Sequence, residues 1–124
     1  MPSAEQMIAV VEAYIDGFAR QDAVALADLF AEDALQEDPV GSPSRQGRAA
    51  IHEFLTGSVA TGARLTLDGP YRLGADFIAF PLYVKLEWQG QPMRVDVIDV
   101  FHFNEAGKIR HMQAFFGPAN FGPA

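Results

Sequence analysis

The stretch Val95-Asp96-Val97-Ile98-Asp99-Val100-Phe101-His102-Phe103 decides how this chain folds. Side chains alternate between faces along a β-strand, and this segment splits by parity. Its odd positions are Val95, Val97, Asp99, Phe101 and Phe103. Asp99 is therefore a single carboxylate among four hydrophobes, where burial without a cationic partner favours the neutral acid. Asp96, three residues earlier, falls on the opposite face with Arg94, Ile98, Val100 and His102, a mixed surface that leaves an acid solvated or paired.

The same period of two extends to both sides. Asp76 to Trp88 is a long strand whose even positions, Ile78, Phe80, Leu82, Val84, Leu86 and Trp88, are all apolar. Gln89-Gly90 suits a two-residue hairpin loop, and that register sets Phe80 opposite Asp99 and Leu82 opposite Val97. Asn104 to Gly107 forms the next turn, and a four-residue loop there sets Met112 opposite Asp99 and Phe116 opposite Val95. Phe80, Leu82, Phe101, Met112 and Phe116 would thus surround the carboxyl. The face opposite carries His102 and His111, together with an apolar patch of Tyr83, Ile98, Val100, Ile109 and Phe115.

Upstream, the period is helical. Ser3 and Gln6 form a capping box before Met7, Val11, Tyr14, Ile15 and Phe18, which predicts a first helix over Ala4 to Arg20. Asp22 starts a short second helix carrying Val24, Leu26, Leu29 and Phe30. Ala34 to Glu37 reads as a brief strand stopped by Asp38-Pro39, and Gly41 to Gly47 as a loop. Ile51, Phe54, Leu55, Ser58 and Val59 mark a third helix from Arg48 to Val59. Arg64 to Asp68 is a strand, Gly69-Pro70 a turn and Tyr71 to Leu73 a short continuation. The tail from Gly117 to Ala124 reads as an irregular cover over one edge. Three N-terminal helices and an antiparallel meander make an α+β fold, with the helices packed on a strongly curved antiparallel sheet as one domain spanning residues 1–124.

Composition narrows the function. Nine basic against sixteen acidic residues give a net charge of −7, which repels nucleic acid phosphates and anionic membrane surfaces, so neither is an expected partner. Cysteine is absent, which excludes disulfides and thiolate chemistry and makes a reducing cytoplasm the expected compartment. Met1 to Gln21 has the pattern of neither a signal peptide nor a membrane span. Ten phenylalanines in a chain that is 49% hydrophobic suffice for a filled core or for an apolar ligand cavity.

Among residues able to carry chemistry, Asp99 fits two readings, a buried acid neutralised by an arginine from elsewhere or a neutral carboxylic acid that donates a hydrogen bond. Tyr14 lies on the buried stripe of the first helix, packing in the core or donating its hydroxyl toward the same cavity. Asp38, beside Pro39 at the end of a strand, is either an ordinary turn residue or a carboxylate at a cavity mouth fit to act as a general base. Glu37 points the other way and is expected in solvent. No histidine is expected in the cavity, and no spacing suggests a metal site, a phosphate-cradling loop or a cofactor.

Leu29-Phe30-Ala31-Glu32-Asp33-Ala34, Glu37-Asp38-Pro39-Val40-Gly41-Ser42, Ile98-Asp99 through Phe103-Asn104, and Met112 to Phe116, in this order and spacing, resemble the bacterial steroid Δ5-isomerases (ketosteroid isomerases) of the nuclear transport factor 2-like superfamily. The likeness runs from Met7 to Asn120. It implies a cone-shaped α+β barrel, a homodimer, a steroid substrate and cofactor-independent isomerisation. By resemblance Tyr14 and Asp99 are the oxyanion donors and Asp38 the proton-shuttling base; a carboxylic acid kept neutral in an apolar site is an established device of that family. Val40, Phe54, Leu82, Leu86, Phe101, Met112 and Phe116 would line the steroid slot. Family members often back the donor tyrosine with further tyrosines, where this chain has Phe30, Phe54 and Leu55. Two other readings share these features: an enzyme on another apolar substrate, such as a polyketide cyclase, and a noncatalytic carrier of hydrophobic ligands.

Overall fold

The first helix, α1 (Ala4–Ala19), starts where its capping box predicts. Ser3 Oγ accepts from the Gln6 N–H at 3.1 Å and Gln6 Oε1 accepts from the Ser3 N–H at 2.7 Å, satisfying two otherwise orphaned donors. Its buried stripe of Met7, Val11, Tyr14 and Phe18 faces the sheet. Gly17 lets the next helix approach, since a Cβ there would lie 2.6 Å from a Leu26 methyl. That helix, α2 (Ala23–Ala27), is capped by Asp22, which accepts from the Ala25 N–H at 3.0 Å. The third, α3 (Arg48–Ala60), buries Ile51, Leu55 and Val59. The computed structural model describes residues 1–124. No helix in it is long and apolar enough to cross a membrane.

Eight strands form one curled, unclosed sheet: β1 (Phe30–Glu37), β2 (Arg45–Gln46), β3 (Arg64–Leu67), β4 (Arg72–Leu73), β5 (Phe77–Trp88), β6 (Gln91–Phe103), β7 (Ile109–Phe115) and β8 (Phe121–Pro123). The order is β2-β1-β7-β6-β5-β3, with β4 on β5 and β8 on β6. The expectation of an all-antiparallel sheet is corrected at one ladder. β1 runs parallel to β7, from Phe30 opposite Ile109 to Glu37 opposite Gln113, so the sheet is mixed. β1 also begins earlier than Ala34, because a register shift between Phe30 and Leu35 breaks the alternation that sequence reading relies on. Part of the expected Gly41–Gly47 loop is the short strand β2, and the tail is a 3₁₀ turn followed by β8, which puts Phe121 opposite Val95.

The β5–β6 register is as the hairpin dictates: Trp88 pairs with Gln91, Phe80 with Asp99 and Leu82 with Val97. Gln89 and Gly90 take φ of 52° and 78°, as a two-residue turn between twisted strands requires. The β6–β7 register differs from expectation by two residues. Ala114, not Met112, lies opposite Asp99, and Met112 lies opposite Phe101. A shift of two preserves parity, so Met112 stays inside at 1% exposure. An irregularity between His102 and Phe103 does flip Ile109, which is fully buried rather than part of the outer patch.

Twenty-three buried residues make one core, centred on edge-to-face rings: Phe101 lies 5.1 Å from Tyr14 and 5.2 Å from Phe80. The apolar face of β5 changes character along its length. Ile78, Phe80 and Leu82 are buried, Val84 and Leu86 only partly, and Trp88 is 54% exposed. The sheet curls away from the helices there and leaves a cavity where the core stops.

Candidate active site

Tyr14 from α1, Asp38 from just beyond β1 and Asp99 from the middle of β6 line this one cavity. Strand β7 lies between the elements that carry the two acids. Ala114 is the register partner of Asp99, and its carbonyl accepts from the Val40 N–H at 2.8 Å, which carries the β1–β7 pairing past Pro39. A residue with so small a side chain at this point leaves open the space that both carboxyls face.

The volume is about 900 Å³, and sixteen of the twenty-three lining residues are hydrophobic, proportions that suit an apolar small molecule held by few polar groups. Phe54, Leu82, Leu86, Met112 and Phe116 are among the residues that line it. Phe101 and Val40 are not. Phe101 is fully buried beneath Tyr14 and Phe80, so it supports the floor, while Val40 is 36% exposed outside the wall because the chain turns at Pro39.

Burial dominates the electrostatics. Asp99 is 3% exposed, and the ion pairs of the fold all join other residues. The reading of a buried acid neutralised by arginine therefore has no partner to rest on. Loss of solvent, and secondarily the charge of Asp38, push the Asp99 carboxyl well above the usual carboxylate range, which favours the neutral acid, the form that can donate. Tyr14 is likewise pushed up, chiefly by burial, and keeps its phenolic proton. Its Oη donates only to Met112 Sδ at 3.9 Å, a weak acceptor that an anionic oxygen would displace. Phe30 and Leu55 are fully buried and supply no hydroxyl to extend this contact.

Asp38 occupies the intermediate environment. Burial raises its carboxyl and the positive charge of Arg45 opposes that rise, leaving it at about 6. The site thus separates two carboxyl groups by proton affinity, one held neutral and one mostly ionised near neutral pH.

The histidines are on the other face, as parity implies. His102 and His111 stack at 5.2 Å, and neither they nor His52 line the cavity. Glu37 is not free in solvent as expected but hydrogen-bonds His111 Nε2 at 2.6 Å. No group of three or more potential metal ligands is assembled anywhere in the fold. Sequence reasoning missed Arg45, Glu53, Ala114, Trp88 and Phe121 in the cavity wall. Arg45, Glu53 and Phe121 reach it through long-range pairing and packing, for which the local pattern holds no signal; Ala114 was displaced by the two-residue slip of β7, and Trp88 was marked only as an apolar position of β5, not as cavity lining.

Three helices packed on a curled, unclosed mixed sheet place the chain in the nuclear transport factor 2-like class of α+β folds. The chain belongs to the SnoaL-like domain family, whose pattern residues 11–112 match. It is 40% identical over 119 residues to a steroid Delta-isomerase of Nocardioides simplex, covering 95% of this chain and 94% of that protein. Among solved structures it is similar to SalBIII, described as an epoxide hydrolase/cyclase-like enzyme with a role in pyran ring formation in the polyether salinomycin. The TM-score is 0.92 at 26% identity, with both chains fully covered.

Proposed function

We propose that this protein is a steroid Δ-isomerase that converts 3-oxo-Δ5-steroids to the conjugated Δ4 isomers. The observation that carries this reading is the meeting of Tyr14, Asp38 and Asp99 on one apolar cavity, with Asp99 neutral and Asp38 near 6. The near full-length likeness to a steroid Delta-isomerase supports it.

Asp38, about nine-tenths ionised at pH 7, takes a proton from C4, which the adjacent carbonyl acidifies. The electron pair moves through the C3 carbonyl to give a dienolate, whose O3 accepts hydrogen bonds from Tyr14 and from the protonated Asp99. Asp38 then returns the proton to C6, and the double bond is left between C4 and C5. Charge develops on an oxygen held by two preorganised donors in a water-poor site, so the chain's own groups suffice; losing one such donor typically costs ~10² to 10³ in turnover. Burial of the steroid against Phe54, Leu82, Leu86, Met112 and Phe116 supplies affinity at about 25 cal/mol per Å².

A homodimer completes the proposal. Ile98 and Phe115, at 50% and 43% exposure, share the outer sheet face, an apolar surface that a second copy would cover. Sedimentation showing only monomer at micromolar concentration would exclude it.

The test is the rise in ultraviolet absorbance as 5-androstene-3,17-dione becomes the conjugated enone, measured with the purified protein and with Asp38→Asn. Conversion that is lost in the variant while steroid binding persists is the expected result. Binding without conversion by the unmodified protein would overturn the proposal. It would favour a cyclase-like enzyme on another apolar substrate, to which the likeness to SalBIII points, or a hydrophobic-ligand carrier.

A further inference from the structure

Arg45 is the only lysine or arginine in the cavity wall, and the reaction above gives it no role. Strand β2 sets it opposite Gln36, two residues before Asp38 on the neighbouring strand. Its guanidinium carbon lies 3.6 Å from the centroid of the Phe54 ring, so the side chain is stacked on α3 and cannot swing freely into solvent. Nη1 is buried without a hydrogen-bond partner, and Arg45 joins none of the ion pairs of the fold. A guanidinium is thus held on the cavity wall with no carboxylate neutralising it by contact.

The ionisable groups that share the cavity with Asp38 are Tyr14 from α1, Asp99 from β6, Glu53 from α3 and Arg45 from β2. Strand β7 contributes only Met112, Ala114 and the adjoining Phe116, and the Glu37–His111 pair lies on the outer side of the sheet. Tyr14 and Asp99 are uncharged and Glu53 is exposed to solvent, so Arg45 is the one cation among the groups around the base.

We propose that Arg45 is a positioning residue for Asp38: its guanidinium, pinned on the Phe54 ring, holds the buried carboxylate in its anionic form without binding it directly. The inference rests on the reading of Asp38 as the base. Separation is what makes the arrangement useful. Burial alone drives Asp38 toward the neutral acid, and a contact salt bridge would leave a carboxylate too weakly basic to take a proton from carbon. A cation at a distance keeps the anion and preserves its basicity. Arg45 opposes the effect of burial, and the two balance at about 6.

The experiment compares Arg45→Met, which keeps the apolar stem, with Arg45→Lys, which keeps the charge and loses the planar stack. Arg45→Gln replaces the methionine variant if that does not fold. The ¹³C resonance of the Asp38 carboxyl, identified by its loss in Asp38→Asn, is titrated by NMR in ligand-free protein. The midpoint should rise by about one pH unit in Arg45→Met and stay within roughly a few tenths in Arg45→Lys. The acid limb of kcat/KM for steroid isomerisation should move with it, so that activity is lost several-fold on the acid side and the loss shrinks as pH rises. An unmoved midpoint in Arg45→Met would overturn the proposal. So would an equal rise in Arg45→Lys, which would assign the effect to packing on Phe54. The titration needs no substrate, so a shifted midpoint in a protein that converts no steroid would refute the steroid reading and leave the Arg45–Asp38 coupling standing.

Discussion

Replacing Asp38 by asparagine should make the protein more stable while removing its activity. In the folded chain the Asp38 carboxyl is raised from 3.8 to about 6, chiefly by burial. Between those values the folded state binds a proton that the unfolded state has released, so stability falls as pH rises through this window and stays lower above it. At about 1.4 kcal/mol for each tenfold change in proton affinity, the rise corresponds to roughly 3 kcal/mol at neutral pH, an upper figure given the partial exposure of the side chain. The asparagine amide is nearly isosteric with the carboxyl and cannot ionise, so Asp38→Asn escapes this cost. Urea unfolding of both proteins at fixed concentration, from about pH 4 to pH 8, measures the effect, and contributions from groups not coupled to Asp38 cancel in the difference. The variant should be up to ~3 kcal/mol more stable at pH 7.5, with the advantage shrinking toward zero near pH 4. A difference that does not change with pH, or a variant less stable at neutral pH, would refute the account of Asp38 as an acid strained by burial. A buried acid held at such a cost, in the role proposed for Asp38, is a common form of the trade between stability and activity.

Asp99→Leu should fold, because the position faces Phe80, Phe101 and other core side chains, while steroid turnover falls by ~10² to 10³ as one of the two proposed oxyanion donors is lost; strong destabilisation in denaturant would instead reveal an unseen ionic partner. Tyr14→Phe should cost a comparable factor in turnover but less than about 1 kcal/mol in stability, since the hydroxyl meets only the Met112 sulfur; a larger stability loss would place the hydroxyl in a network. Gln36 is fully buried, its Nε2 donates only to Met112 Sδ at 3.6 Å and its Oε1 has no partner, so Gln36→Leu should leave the thermal midpoint unchanged or raise it. A lower midpoint would show that the amide oxygen is satisfied.

Much of this fold was legible locally. The parity of Val95 to Phe103 and of Asp76 to Trp88, joined by Gln89-Gly90, fixed the central hairpin residue by residue, including Phe80 opposite Asp99. Ser3, Gln6 and Asp22 marked two helix starts through hydrogen bonds that close within a few residues. The environment of Asp99 followed from the same parity, because a strand in a half-buried sheet has only two faces to choose between. The slip of two residues between β6 and β7 did no harm to Met112 for that reason, whereas the irregularity beside Phe103 moved Ile109 from the outer patch into the core.

What the sequence by itself determined, then, was periodicity: which side chains share a face, where elements start, and that one acid sits on an apolar face while another ends a strand at Pro39. Tertiary structure alone decided which faces meet. The parallel pairing of Phe30 with Ile109 spans most of the chain, and no local pattern encodes the neighbour a strand will find. That pairing brings Asp38 beside the strand that also flanks Asp99, the β1–β2 ladder seats Arg45 in the same wall, and packing against Tyr14 and Phe80 keeps Phe101 beneath the cavity. Periodicity is a property of consecutive residues, fixed by backbone geometry. Proton affinity depends on how much solvent and which charges surround a group, and those are supplied by residues far away in the chain.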